Sequence, residues 1–455
     1  MPLLGATGGG SAKGFGALAN LGYYIKNSLR FRGSNSAYLN RTLTTPTNNK
    51  IWTWSAWVKR GTLTSSSQQH FFNYWTGSNG QSGVLFSANT DTIEFFDYTG
   101  SYGYQLVTTQ VFRDPSAWYH FVIAVDTTQA TSSNRIKMYI NGTQVTAFST
   151  STYPSQNYNT LINSANAHYI GRRGDANGYF DGYMGEINFI DGQALTPSSF
   201  GKTDAVTGQW IPKKFAGTYG TNGFYLKFAD ASAATAAAIG KDSSPNGNNW
   251  TPNNISVTAG ATYDAMTDSP TLSAAASNYC VLNPLIPITT TTIINGNLGL
   301  SSYNASGSVF GTIGVSSGKW YFESISQSDA MSGISGTING GAFPGAPANA
   351  YTWDAKNAQK ISNSSSASYG SAASNGDIIG VAFDLDSGSI TFYKNNVSQG
   401  VAYTFTPSGT YFPVFRNGDP AGSPPGGNIS VNFGQRPFAY TPPTGYKALN
   451  TFNLP

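Results

Sequence analysis

Two carboxylates, Glu186 and Asp191, lie close together in the run Glu186-Ile-Asn188-Phe-Ile-Asp191. Hydrolysis of a glycoside with retention needs two carboxyls about 5–5.5 Å apart, one as nucleophile and one as acid. Glu186 and Asp191 are the pair that this sequence offers for that chemistry. Against it, Asp is the shorter side chain, and Asp191-Gly192 already reads as a turn. Other reactive residues are scattered. Gly314-Val-Ser316-Ser-Gly318 matches a nucleophile-elbow pattern, but a strand-like run, KWYFES, follows where that motif needs a helix. His70, His120 and His168 are far apart and lack metal-ligand spacing. Gly201-Lys202-Thr203 lacks the upstream glycine of a phosphate loop.

Binding chemistry is better represented. The loop Arg172-Arg-Gly-Asp175-Ala-Asn177-Gly-Tyr-Phe-Asp181 combines carboxylates, an amide and glycines, as calcium loops do, without their regular ligand register. It is the one candidate for a cation; the sequence points to no other cofactor and no metal centre. Aromatic residues flanked by Asn, Ser and Gly suit sugar recognition, an apolar ring face beside amide and hydroxyl donors. Tyr74 and Trp75, then Tyr98, Tyr102 and Tyr104, and finally Tyr351 and Trp353 form three such groups. Each ring taken singly also suits packing in its own core.

The elements that must position these residues are strands. Of 455 residues only 10% are charged and 14% are aromatic, and 52 are glycine. Disordered chains have the opposite balance, and neither a collagen period nor coiled-coil heptads occur. In Lys50 to Lys59, Trp52, Trp54, Ala56 and Val58 share one face of an alternating strand. Trp118 to Val125 reads as a strand buried on both faces. Arg135 to Val145 is a hairpin turning at Asn141-Gly142. Trp320, Phe322 and Ser324 oppose Tyr321, Glu323 and Ile325 later in the chain, and Ile379, Val381, Phe383 and Leu385 line one face of another strand. Short strands at such intervals predict an all-β fold. The Ala-rich run ASAATAAAIG is a candidate short helix, and the proline-rich C-terminus reads as an ordered wrap over its domain.

Charge is unevenly placed. Lys13, Lys26, Arg30, Arg32, Arg41, Lys50, Lys59 and Arg60 all precede the first acid, Asp91. The remaining 17 cations face 21 acids. With a glycine-rich start, this suggests an arm over residues 1–32 that docks on an acidic protein surface through Lys13, Lys26, Arg30 and Arg32. No basic cluster interleaved with aromatics suggests nucleic acid. The lone Cys280 excludes an intrachain disulfide, so the fold must be held by its cores and assembly in a reducing cytoplasm is allowed. Neither a signal peptide nor an apolar run of membrane-spanning length is evident, and no membrane insertion is expected.

Taken in order, WTWSAWVKRG, WYHFVIAVD, IKMYINGTQV, YIGRR and FDGYMGEINFIDGQALT resemble a laminin-G-like, concanavalin A-like sandwich over about residues 33–230. That fold also hosts glycosidases with a Glu-x-Asp-x-x-Glu strand, of which Asn188 and Asp191 are departures. GKWYFES, NGDIIGVAFDLDSGSITFYKNN, YFPVF and VNFGQRPFAYTPPTGYKAL resemble a SPRY domain over about residues 301–455. The expected fold is thus two antiparallel β-sandwiches in series, joined by a connector at 231–300. The combination resembles virion proteins of tailed bacteriophages, particularly those infecting marine bacteria and cyanobacteria. The resemblance implies a non-enzymatic tail-fibre-type or receptor-binding protein on the virion, assembled in the host cytoplasm. Its implied partners are other virion proteins, host cell-surface polysaccharide and further copies of itself, with a trimer as the guess. A capsid or tail decoration protein without receptor binding is the alternative, and a glycan hydrolase the remote one.

Overall fold

The computed structural model describes residues 4–5, 23–63, 65–286, 291–302, 307–325, 330–416 and 429–455. Among them regular structure is strand, apart from short 3-10 turns, and the fold is all-β with antiparallel sheets. No helix among the described residues is long and apolar enough to cross a membrane. The Ala-rich run forms turns instead of a helix, because Ala238 and Ile239 are drawn into the core. The chain divides into two compact units.

In chain order the strands begin with β1 (Leu4–Gly5), β2 (Ser28–Phe31), β3 (Tyr38–Thr42), β4 (Ile51–Arg60), β5 (Gln69–Gly77), β6 (Gly80–Phe86), β7 (Thr92–Tyr98) and β8 (Tyr102–Val111). Next come β9 (Trp118–Asp126), β10 (Ile136–Ile140), β11 (Thr143–Gln144), β12 (Phe148–Thr152), β13 (Ala167–Ile170) and β14 (Gly182–Asp191). The first unit ends with β15 (Gly201–Thr203), β16 (Trp210–Pro212), β17 (Phe224–Leu226), β18 (Thr251–Asn253) and β19 (Ala265–Met266).

The first unit, residues 21–257 and 262–271, packs two sheets face to face. One runs β11-β10-β9-β4-β14-β2-β19, with β17 also on β14; the other runs β12-β8-β7-β6-β5-β13-β3-β18. Alternation puts Trp52, Trp54, Ala56 and Val58 into the shared core with Phe72, Phe95, Leu106, Phe121 and Phe189. Asn141 and Gly142 both take positive φ, 48° and 83°, as the expected hairpin turn requires. β9 is buried on both faces for a specific reason. Phe121, Ile123 and Val125 enter the main core, while Val122 and Ala124 join a second apolar cluster with Ile190, Phe200, Phe215 and Tyr219. The segment after β14 therefore covers the outer face of the first sheet.

The sequence boundaries at 32 and 231 do not coincide with this unit. β2 lies inside the first sheet between β14 and β19. Ile239, Trp250, Ile255 and Ala265, from the expected connector, are core residues. The same return explains the uneven charge. Arg30 and Arg32 both bond Asp264, at 3.0 and 2.9 Å, and Lys59 bonds Asp268 at 2.8 Å. Arg60 pairs with Asp91 at 2.7 Å. Arg30, Lys59, Asp264 and Asp268 are fully buried. The docking role expected of Arg30 and Arg32 is corrected: their charge is spent on a buried acid of the same chain. Lys26 is exposed, and Lys13 lies outside the described residues.

The second unit, residues 272–455 with 1–20 and 258–261, continues with β20 (Thr291–Ile294), β21 (Gly299–Ser302), β22 (Val309–Phe310), β23 (Ile313–Gly314), β24 (Lys319–Ile325), β25 (Met331–Ser335), β26 (Ala350–Asp354) and β27 (Gln359–Ser362). It ends with β28 (Ser365–Ser368), β29 (Ile378–Asp384), β30 (Ser389–Lys394), β31 (Val397–Thr404), β32 (Phe412–Arg416), β33 (Ile429–Asn432) and β34 (Lys447–Ala448). Sheet β20-β21-β33-β24-β29-β30-β31 and sheet β22-β32-β25-β26-β27-β28 make its two layers, and β1 pairs with β23. Trp320, Phe322, Val381, Phe383, Phe415 and Phe433 are buried in it. Glu323 accepts the backbone N–H groups of Ala439 and Tyr440, and β34 lies parallel on β24, so the C-terminal segment is ordered on the sheet.

Two outcomes follow. Removing one partner of a buried ion pair costs about 3–5 kcal/mol, because the other charge stays buried. Asp264→Asn in the full chain should lower the unfolding free energy of the first unit, read from its urea transition, by that order, while Lys26→Ala leaves it unchanged. Equal midpoints for Asp264→Asn and the parent would remove the ion pairs from any central role. The second concerns the histidines. Burial holds His70 and His120 down at about 3 and His168 at about 4. His120 lies between Trp57 and Trp210, accepts the Trp210 indole N–H and meets Ser55 Oγ through Nε2. A neutral folded histidine against an unfolded pKa near 6.5 gives stability that is complete above pH 6.5 and lost as pH falls. Relative to His120→Gln, the parent should lose about 1.4 kcal/mol per pH unit below 6.5. Superimposable pH profiles for the two chains would contradict this.

Candidate functional site

The two sheets of the first unit meet solvent differently. The outer face of the β4–β9–β14 sheet is covered by the second apolar cluster. On the opposite sheet, alternation sends Leu39, Ile170, Phe72, Val84, Phe95 and Leu106 inward. It thereby sends Tyr38, Tyr169, Trp75, Gln81, Phe96, Tyr98 and Gln105 to the other face.

Register aligns these residues. Trp75 pairs with Gln81, Gln81 with Tyr98, and Tyr98 with Tyr102, so four neighbouring strands contribute one cross-strand row. A register shift between Asp97 and Tyr98 accompanies the row, as bulges do where a side chain is re-aimed. Tyr98 and Tyr102 meet edge to face at 5.1 Å, and Phe96 supports Tyr102 at 6.2 Å. Tyr102 is 48% exposed, which is high for so large a ring. Burial of its hydroxyl and the nearby Glu94 carboxylate hold its pKa above the usual value, so it remains a protonated donor. A shallow pocket lies among Gln68, Gln81, Phe96, Tyr98, Tyr102 and Arg173.

Two arginines extend the row. The Arg173 guanidinium lies 5.2 Å from the Trp75 ring and makes a two-pronged pair with Asp175, at 2.9 and 2.8 Å. The Arg172 guanidinium lies 3.6 Å from the Tyr38 ring and 4.8 Å from that of Tyr169. The loop carrying both arginines hugs the sheet: a Cβ at Gly174 would come within 2.7 Å of Trp75 and 2.8 Å of Tyr169. The result is a polar aromatic strip in which ring faces alternate with amides and guanidinium groups. Such a surface can stack on a pyranose ring and bond its hydroxyls.

The residues selected from sequence divide three ways. Trp75, Tyr98 and Tyr102 stand together on the strip. Tyr74, next to Trp75 and of opposite parity, is buried in the core, and so is Tyr104, which shares the parity of Tyr102 and is separated from it by the register shift. Trp353 is buried in the second unit, and Tyr351 stacks on Phe405 at 4.0 Å. Rings inside a core offer no platform to a ligand in water, so Tyr74, Tyr104 and Trp353 are corrected to packing residues. Tyr38, Tyr169, Gln68, Gln81 and the two arginines were missed, since they reach the strip from distant strands and one loop. Outward parity in Tyr38-Leu-Asn40 and Tyr169 was the available signal.

The other candidates resolve into structural roles. Asp175 is held by Arg173, and Asp181 accepts the Gly33 N–H at 3.1 Å, so the loop's carboxylates are separately engaged. No group of three or more His, Cys, Asp or Glu among the described residues is placed to hold a metal ion. Asp191 accepts from the N–H groups of Thr47, Asn48 and Asn222 and from Asn163 Nδ2. Glu186 is bonded instead by the Tyr23 and Tyr225 hydroxyls. The two carboxylates thus share no partner.

Comparison with known proteins agrees with this architecture. Residues 31–200 match the model of the concanavalin A-like lectin/glucanases superfamily, of laminin-G type, and residues 312–436 match the SPRY domain model. A curated relative, described as a probable ATP-dependent RNA helicase of Dictyostelium discoideum, is 29% identical over 147 residues, 31% of this chain. The chain spans only 18% of that relative's length. Among solved structures, the SPRY domain of human HERC1 is 18% identical, with 33% of this chain and 96% of that one covered at a TM-score of 0.29. The TRIM65 PSpry domain is 15% identical, covering 34% and 91% at a TM-score of 0.28. Stonustoxin is 18% identical, covering 34% of this chain and 27% of its own at a TM-score of 0.28. Sequence pattern, sheet order and family models converge: the chain carries a laminin-G-like, concanavalin A-like domain followed by a SPRY domain.

Proposed function

We propose that this protein is a non-enzymatic adhesin of tail-fibre or receptor-binding type, and that its first sandwich contacts host-surface glycans. The observation that carries the reading is the cross-strand row Trp75, Gln81, Tyr98 and Tyr102, half-buried or exposed on the outer face of its sheet and flanked by Arg172 and Arg173. Laminin-G and SPRY domains are typically binding or interaction modules without catalysis, which supports a role in attachment. The separate engagement of Glu186 and Asp191 argues against the paired-carboxylate hydrolase. The setting, a tailed-phage virion with other virion proteins and further copies of the chain as neighbours, rests on the resemblance of the two domains and their connector.

The mechanism is adsorption. Exposed rings lose water from their faces as a sugar's apolar face settles on them, and the glutamine amides and the Tyr102 hydroxyl exchange water for sugar hydroxyls. Each such contact is weak, so useful adhesion requires several copies acting together.

Retention of the purified full chain on host polysaccharide tests this. An aromatic contact contributes about 0.5–1.5 kcal/mol beyond its buried area, or roughly three- to tenfold in Kd. Trp75→Ala with Tyr102→Ala should therefore weaken retention by about ten- to a hundredfold, with an unchanged melting temperature. No retention of the parent chain, or equal retention of the double variant, would defeat the reading. Reducing sugar released by the parent but not by Glu186→Gln would restore the hydrolase.

A further inference from the structure

A second concave feature lies in the first unit, away from the strip and on the sheet that contains β14. Its walls include Tyr23, Tyr24, Lys26, Lys214, Tyr225 and Lys227, with Glu186 at the floor, and its volume is about 480 Å³. That is within the range of small-ligand pockets.

The floor is unusual in its backbone. β14 changes register against β4 between Gly185 and Asn188, and Glu186 takes φ of 53°, a left-handed conformation that non-glycine residues rarely adopt. Bulges re-aim side chains, and strain of this kind persists where the surroundings enforce it. Here the bulge turns Glu186 toward the pocket, where the Tyr23 and Tyr225 hydroxyls both donate to its Oε1. The two hydroxyls also meet each other at 2.7 Å. Glu186 is only 4% exposed, and its Oε2 has no hydrogen-bond partner among the described residues. Burial raises its pKa, which favours an acid that can donate a proton.

The rim is cationic. Lys26, Lys214 and Lys227 are exposed, and none has a carboxylate partner among the described residues. The chain has no acid before Asp91, so its N-terminal segment cannot neutralise them. Three ammonium groups outnumber the one carboxyl whatever its protonation state. Tyr24, 39% exposed, adds a ring face at the mouth.

We infer that this pocket binds one acidic sugar unit, with the Lys26, Lys214 and Lys227 ammonium groups holding its carboxylate and the Glu186–Tyr23–Tyr225 floor bonding its hydroxyls. Tyr24 supplies the stacking face. Neutral glycans lack the anion that the rim selects, and a bare anion leaves the floor and the ring unused. The site is separate from the aromatic strip and stands or falls independently of it.

The test titrates the full chain with glucuronate, glucose and inorganic phosphate, following binding by NMR. Glucuronate should bind at least tenfold more tightly than either of the other two. Lys214→Ala with Lys227→Ala should abolish that preference, and added salt should weaken it. The charge-matched control Lys202→Ala with Lys241→Ala, both exposed lysines outside the pocket, should retain it. Glu186→Gln, which keeps a donor and an acceptor, should bind more tightly than Glu186→Ala. Equal affinity for glucuronate and glucose overturns the proposal, as does phosphate binding as well as glucuronate or a preference that survives loss of Lys214 and Lys227. Retention of the Lys214/Lys227 variant on host polysaccharide reports the strip separately, so failure of one site is not mistaken for failure of the other.

Discussion

Asp264 accepts two guanidinium groups, those of Arg30 and Arg32, where none of the three has ready access to water. Lys59 and Asp268 repeat the arrangement nearby in sequence, and the Trp118 indole N–H also donates to Asp268. Isolated buried charges are prohibitively costly, so these partners must be brought together for the first sandwich to close. The acids come from residues 262–271 and the cations from the first 60 residues. The unit is thus closed by contacts spanning more than 200 residues, and they accompany the pairing of β2 with β19 in the sheet. A domain's net stability is only about 5–15 kcal/mol. Leaving one of these charges without its partner would consume a large share of that margin.

Closing the sandwich in this way leaves its two outer faces unequal. The segment after β14 folds back over one sheet and adds a second apolar cluster, which is why β9 has no wet face. The opposite sheet receives no such cover from the unit's own second cluster, and its outward positions hold aromatics, glutamines and arginines. Both proposed sites derive from this asymmetry. The strip uses the sheet that lacks the second apolar cluster, and the acidic-sugar pocket uses a bulge in the strand that the covering segment borders.

Much of the architecture was legible because strand alternation is local. Trp52, Trp54, Ala56 and Val58 were assigned to one face from spacing alone, and they occupy one core. The Asn141-Gly142 hairpin was equally readable, since few residue pairs accept two positive φ values. Errors arose where the deciding contact was distant. Arg30 and Arg32 looked like a docking patch because their acid follows some 230 residues later. The expected connector looked linker-like because its glycines, prolines and asparagines conceal Trp250, Ile255 and Ala265. Among the aromatics, Trp75 differed from Tyr74 only by parity, while Tyr102 and Tyr104 share parity and are set apart only by the bulge between their strand and Tyr98, which local spacing does not reveal.

The sequence by itself determined an all-β chain with two sandwich domains and their order. Those properties follow from side-chain periodicity and turn chemistry, which act over a few residues. Only the tertiary structure decided which cations are buried in ion pairs and which stand at the rim of a pocket without a carboxylate partner among the described residues. It alone decided which sheet face is covered and which rings line up across strands. These outcomes depend on segments hundreds of residues apart arriving at one place, where burial raises the cost of every unpaired charge and so selects the partners.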